Sequence, residues 1–104
     1  MQDTNELMFQ VIGKTFPNGF RVEWTHLTQD DTAVFILAKR EGNGLTEWVT
    51  SFVNFATLRH NEWAWGHYFR NEGDAQTDFY ARVRADWGLP AKAPRGQELN
   101  FATF

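Results

Sequence analysis

Of the side chains able to do acid–base or metal chemistry, His60, Glu62 and His67 come closest to a cluster. Imidazole titrates near neutrality and is a common metal ligand. No His-Glu-x-x-His helix and no His-x-His pair sets these groups on one face, so their spacing predicts no metal centre. His67 is expected as a hydrogen-bonded, partly buried imidazole. Nucleophilic chemistry has as little to work with. Ser51 is the only serine, falls in mid-strand and lacks a Gly-x-Ser-x-Gly elbow. Thr32, Thr46 and Thr50 have no context that would activate a hydroxyl. The chain has no cysteine, which removes thiolate nucleophiles, disulfides and cysteine-based zinc sites. Hydrolysis by paired carboxylates needs two acids facing one cleft. Glu23, Glu47 and Glu62 could share a sheet face, although solvated strand carboxylates explain them more simply. Gly42-x-Gly44 is a turn and not a phosphate loop, because no helix follows it directly. The sequence therefore predicts a non-enzyme with no catalytic residue, cofactor or metal.

What remains is recognition chemistry, and it centres on Trp63-Ala64-Trp65-Gly66-His67-Tyr68-Phe69. In a regular strand Trp63, Trp65, His67 and Phe69 share one face. Two placements follow. The stripe can pack against Phe79, Val83 and Trp87 of a following helix, leaving Glu62, Ala64, Gly66, Tyr68 and Arg70 as a more polar solvent face. Alternatively, small Ala64 and Gly66 admit the helix on their own side and leave the tryptophans open. Packing against the helix is the expectation. Candidate partner-binding residues are Asp30, Asp31, Glu62, Tyr68, Arg70, Trp63 and Trp65. Asp30 and Asp31 could pair with basic residues of a partner that normally hold nucleic acid.

The elements that must position these residues read as four strands and a helix. Residues 4–12 fit either a short helix, with Leu7, Met8, Val11 and Ile12 as its stripe and Gly13 as its stop, or a strand; the helix is preferred. Phe20 to His26 alternates, with Phe20, Val22 and Trp24 on one face. Ala33 to Lys39 and Glu47 to Phe55 are apolar on both faces, and Glu41-Gly42-Asn43-Gly44 joins them as a hairpin turn. A loop through Arg59-His60-Asn61 leads to a fourth strand, Glu62 to Arg70. The helix that follows should start at an Asp74 N-cap, bury Ala75, Phe79, Val83 and Trp87, and end at Gly88. The expected fold is α+β: an antiparallel sheet of about four strands, covered on one face by a long C-terminal helix. One domain is expected over 1–90, with an irregular tail over 91–104. Asn54-Phe55-Ala56-Thr57 recurs as Asn100-Phe101-Ala102-Thr103. Coincidence accounts for this in a Phe-rich chain, the sharper alternative being an edge strand made by the tail.

Composition narrows the function classes. At 104 residues the chain is one domain. Its net charge of −3 lacks the basic excess of a typical nucleic-acid binder. Direct nucleic-acid binding is therefore not expected, though an exposed aromatic strand with Arg59 and Arg70 nearby resembles a single-strand stacking platform. Seventeen aromatic residues, ten Phe, five Trp and two Tyr, are hard to hide in so small a domain. No apolar run is long enough to span a bilayer, and the N-terminus does not read as a signal peptide. A cytoplasmic protein with no membrane partner is expected.

Residues 46–87 resemble a class of short proteins from bacterial phages and mobile elements. Glu47-Trp48-Val49-Thr50, Trp65-Gly66-His67-Tyr68-Phe69, and Ala75 with Phe79 and Arg82 carry the resemblance. It brings no catalytic residues across and implies a small accessory protein in a bacterial host. Together with size, acidity and aromatic excess, it points to a protein-binding module of anti-CRISPR type. Such a module would sterically block a host protein or nucleoprotein complex. The alternatives are a homodimeric accessory protein and a single-stranded nucleic-acid binder.

Overall fold

Strand-forming runs joined by short polar turns fold into a meander. The computed structural model describes residues 4–88, with β1 (Arg21–Leu27), β2 (Val34–Gly42), β3 (Leu45–Val53) and β4 (Ala64–Phe69) antiparallel in the order β1-β2-β3-β4. Helix α1 (Thr4–Val11) precedes the sheet, the short α2 (Phe55–Arg59) lies between β3 and β4, and α3 (Glu72–Asp86) follows. The fold is α+β, a four-stranded antiparallel sheet with a longer C-terminal helix, as the sequence pattern predicts. The tail over 91–104 and its repeat of residues 54–57 lie outside the described residues.

Period-two alternation sends neighbouring residues of β2 and β3 to opposite sides, and both sides are apolar. Val34, Ile36, Ala38, Val49 and Val53 meet Leu7 and Val11 of α1 together with Phe16 and Phe20. Phe35 and Leu37 meet Ala75, Phe79 and Val83 of α3. Both faces of the sheet are thus covered, where a single covered face was expected. The second cover comes from Leu7 and Val11 of α1 with Phe16 and Phe20, all of them buried.

The β2–β3 hairpin closes through Asn43 (φ 52) and Gly44 (φ 75), with Gly42 opposite Leu45. Two consecutive left-handed residues match the twist of the flanking strands, which is why Asn-Gly is favoured there. Three local expectations are corrected. Phe55–Arg59 is a helix, because Asn54 and Thr57 form a reciprocal capping box: the Thr57 N–H donates to Asn54 Oδ1 at 2.8 Å and the Asn54 N–H to Thr57 Oγ1 at 3.0 Å. Helix α3 begins before Asp74; its N-cap is Asn71, whose Oδ1 accepts the Asp74 N–H at 3.0 Å. Phe20, Val22 and Trp24 do not share a face. A bulge at Glu23 turns Trp24 toward α3, so Trp24 lies 5.8 Å from Phe79 between ring centroids.

Candidate functional site

A second bulge decides what β4 presents. Thr50 pairs with His67 and Phe52 with Ala64, so Trp65 and Gly66 together oppose Ser51. Two residues against one break the alternation, and the expected stripe is divided among three environments. Phe69 and His67 face the α3 side. Trp63 lies on the other face, edge-on to Phe16 and Phe20 at 4.8 and 5.5 Å. Trp65 belongs to neither and is 77% exposed. The expected packing against α3 therefore holds for Phe69 alone, which joins the α3 cluster. Trp87, the C-cap of α3, is partly exposed and donates its indole N–H to the Leu27 carbonyl at 3.1 Å.

Each part of the bulge has a physical cause. The Ser51 hydroxyl donates to the Ala64 carbonyl beside the interrupted ladder. The only serine of the chain is thus fully buried and structural. Trp65 sits at φ 56, in the left-handed region. Bulges of this kind normally place glycine there, because a side chain in that region is strained. The glycine stands one residue later, where space requires it. A Cβ on Gly66 would come within 3.0 Å of Trp63 Nε1 and 3.2 Å of the Tyr68 ring and hydroxyl. Tyr68 is 59% exposed, on the side of Trp63, with its ring centroid 6.1 Å from that of Phe20.

Beside Tyr68, Arg40 stacks on Phe20 at 4.4 Å from the ring centroid and donates to Glu47 Oε1 at 2.7 Å. The Arg40 bond, reinforced by the charges of Arg40 and Arg70, holds the Glu47 carboxyl below its ordinary value of 4.5. Arg70 is exposed at the end of β4, and Glu62 is exposed in the turn before it. Glu23, Glu47 and Glu62 do not converge on a cleft, since Glu47 is spoken for by Arg40 and Glu23 lies in the β1 bulge.

Asp30 and Asp31 lie elsewhere, in the loop between β1 and β2, and β3 separates that hairpin from β4. Asp30 Oδ1 accepts from Thr28 Oγ1 at 2.8 Å, Thr32 Oγ1 at 2.7 Å and the Thr32 N–H at 3.2 Å. Those bonds, led by the Thr32 hydroxyl, lower its pKa from the ordinary 3.8. Asp31 is left-handed (φ 61), and its carbonyl accepts the Thr4 hydroxyl. The seven candidate residues thus fall into two places: Glu62, Trp63, Trp65, Tyr68 and Arg70 along β4, and Asp30 with Asp31 in the distant loop.

A polar network joins β3, β4 and α3. Asp78 Oδ2 accepts the Thr50 hydroxyl and lies 2.9 Å from His67 Nδ1. An ionised carboxylate can only accept, so Nδ1 carries the proton in this bond. The Arg82 guanidinium donates to the Thr50 carbonyl at 2.9 Å. Thr50 is fully buried, and its hydroxyl donates to Asp78 and not to the imidazole. His67 is exposed where partial burial was expected, and its hydrogen bond is present. No local motif marks Asp78 and Arg82 as polar anchors; only their spacing of four on a helix places both against β3. Among the described residues no three His, Asp or Glu side chains are grouped so as to hold a metal ion. Comparison with family models, curated proteins and solved structures finds no match to this chain.

Proposed function

We propose that this chain is a non-enzymatic protein-binding module whose contact surface is the outer side of β4, led by Trp65 and Tyr68. One observation carries the reading: a tryptophan, 77% exposed, occupies a left-handed bulge position that glycine would fill without strain. Backbone strain of this kind costs about 1–3 kcal/mol and is found at functional positions. Exposed Trp and Tyr are also the residue types that anchor protein interfaces. Arg40, Glu47 and Arg70 give the aromatic centre a charged margin that excludes wrong partners better than it adds affinity. The resemblance to phage proteins, taken with small size, acidity and aromatic excess, favours a host defence complex as the partner, blocked by covering one of its functional grooves.

The test separates binding from folding. Trp65→Gly removes the anchor and relieves the left-handed strain. The variant should unfold at higher denaturant, by about 0.5–1 kcal/mol after allowing for the freedom glycine gains when unfolded. It should also lose a partner that the wild-type chain captures from bacterial lysate. Equal capture of the same partner by wild type and Trp65→Gly would refute the β4 surface. A wild-type chain that sediments as a dimer, and Trp65→Gly as a monomer, would transfer the role of Trp65 to self-association.

A further inference from the structure

Beside the C-terminal end of α3 lies a cleft of about 420 Å³, within the size range of small-ligand sites. Its apolar lining is Ala33, Phe35, Phe52 and Ala85, with the two phenyl rings edge to face at 6.4 Å. Charges of both signs also line it. Arg82 enters from α3, Asp86 from one helical turn further on, and Asp30 from the β1–β2 loop.

These groups are fixed by their own chain without neutralising one another. Arg82 is anchored through Nη1 on the Thr50 carbonyl, and among the described residues no carboxylate oxygen lies within 4.0 Å of its guanidinium. Burial lowers its pKa, partly offset by the Asp78 charge. Half-buried and with no carboxylate in direct contact, the guanidinium can still take the carboxylate of a ligand. On the acidic side, Asp30 accepts from Thr28 and Thr32 through Oδ1, and Asp86 Oδ2 accepts the Gln29 N–H at 2.7 Å. A free anion would meet two carboxylates and a free cation would meet the guanidinium. A molecule carrying both charges on an apolar body satisfies all three.

We propose that this cleft binds a small zwitterion of the apolar α-amino-acid class, with its carboxylate on Arg82, its ammonium between Asp30 and Asp86, and its side chain on Phe35 and Phe52. The site is separate from the β4 surface and does not depend on it. Affinity should be modest, because the cleft is open and a ligand of this size makes few contacts.

The test is amide NMR titration of the full chain with three probes: L-phenylalanine, N-acetyl-L-phenylalanine and L-phenylalaninamide. Free phenylalanine should shift the resonances of Thr28–Ala33, Phe52 and Ala85 saturably. Removing either charge by acetylation or amidation should weaken binding at least tenfold. Asp30→Asn and Asp86→Asn keep an amide oxygen for the loop bonds and should each weaken phenylalanine while leaving the spectrum folded. Equal binding of the amide would make this a cation site, and equal binding of the acetyl derivative an anion site; either overturns the proposal. So does the absence of saturable shifts with about 10 mM phenylalanine, a concentration that would detect even millimolar affinity.

Discussion

Two residues in β4 show how a side chain's role can depend on the pleat and not on its type. Ser51 reads as an idle strand hydroxyl, yet it donates to the Ala64 carbonyl at the bulge. Replacing it with alanine takes that hydrogen bond away, which costs about 0.5–1.5 kcal/mol. Ser51→Ala should therefore lower the urea midpoint by an amount unlike that of an exposed serine, with the slope of unfolding unchanged. Trp65 carries the opposite lesson. Its type and its place in a Trp-x-Trp pair suggested burial with Trp63, and only its backbone angle, which composition does not reveal, turns it outward.

At the scale of elements, α3 offers a clean contrast between the cap the pattern suggests and the cap that forms. Asn71→Ala removes the acceptor of the Asp74 N–H and should cost about 0.5–2 kcal/mol. Asp74→Ala removes only a charge in the first turn and should cost about 0.3–1 kcal/mol. Thermal denaturation of the two variants side by side would show which residue caps the helix. Asp74 looked the better cap because it directly precedes the apolar positions Ala75, Phe79 and Val83, while Asn71 precedes the polar turn Glu72-Gly73-Asp74. Those three apolar residues and the Gly88 stop were legible, as were the four strands and the Asn43-Gly44 turn, since each follows from a local period or a local angle. Helix α2 was not, because its box closes with Thr57 where Glu or Gln is usual. Neither bulge was legible, because alternation assumes one residue per pleat, and only the partner strand shows where two residues share a place. The Asp78–Thr50–His67 cluster was hidden for the same reason: its members come from three elements and meet only through register.

Taken as a whole, the molecule balances its charges mostly at its surface, so its response to acid should be gradual. Asp30 and Glu47 are both held below their ordinary values of 3.8 and 4.5 by hydrogen bonds that require the ionised form. Stability from such groups is complete above the ordinary values and is lost as pH falls through the lowered ones. The denaturant midpoint should therefore be level from about pH 7 to pH 5 and decline below about pH 4. Glu47→Gln should have a lower midpoint at neutral pH and a shallower decline in acid. A steep loss between pH 7 and pH 5 would contradict this assignment.

The kink at Trp65 and Gly66 also bears on how the sheet ends. An outermost strand with an unbroken pleat presents a row of amide and carbonyl groups on which another chain can crystallise into further strands. At the other margin, Gly13 and Lys14 already occupy part of that row by bonding to Val22 on β1. At β4 nothing lies alongside among the described residues, and the row is instead broken near its middle. The indole is offered while the main chain is withheld, so a neighbour can grip this margin but cannot extend it. In a protein so rich in aromatic residues, that distinction guards against fibril-like growth at the very margin left open for contact.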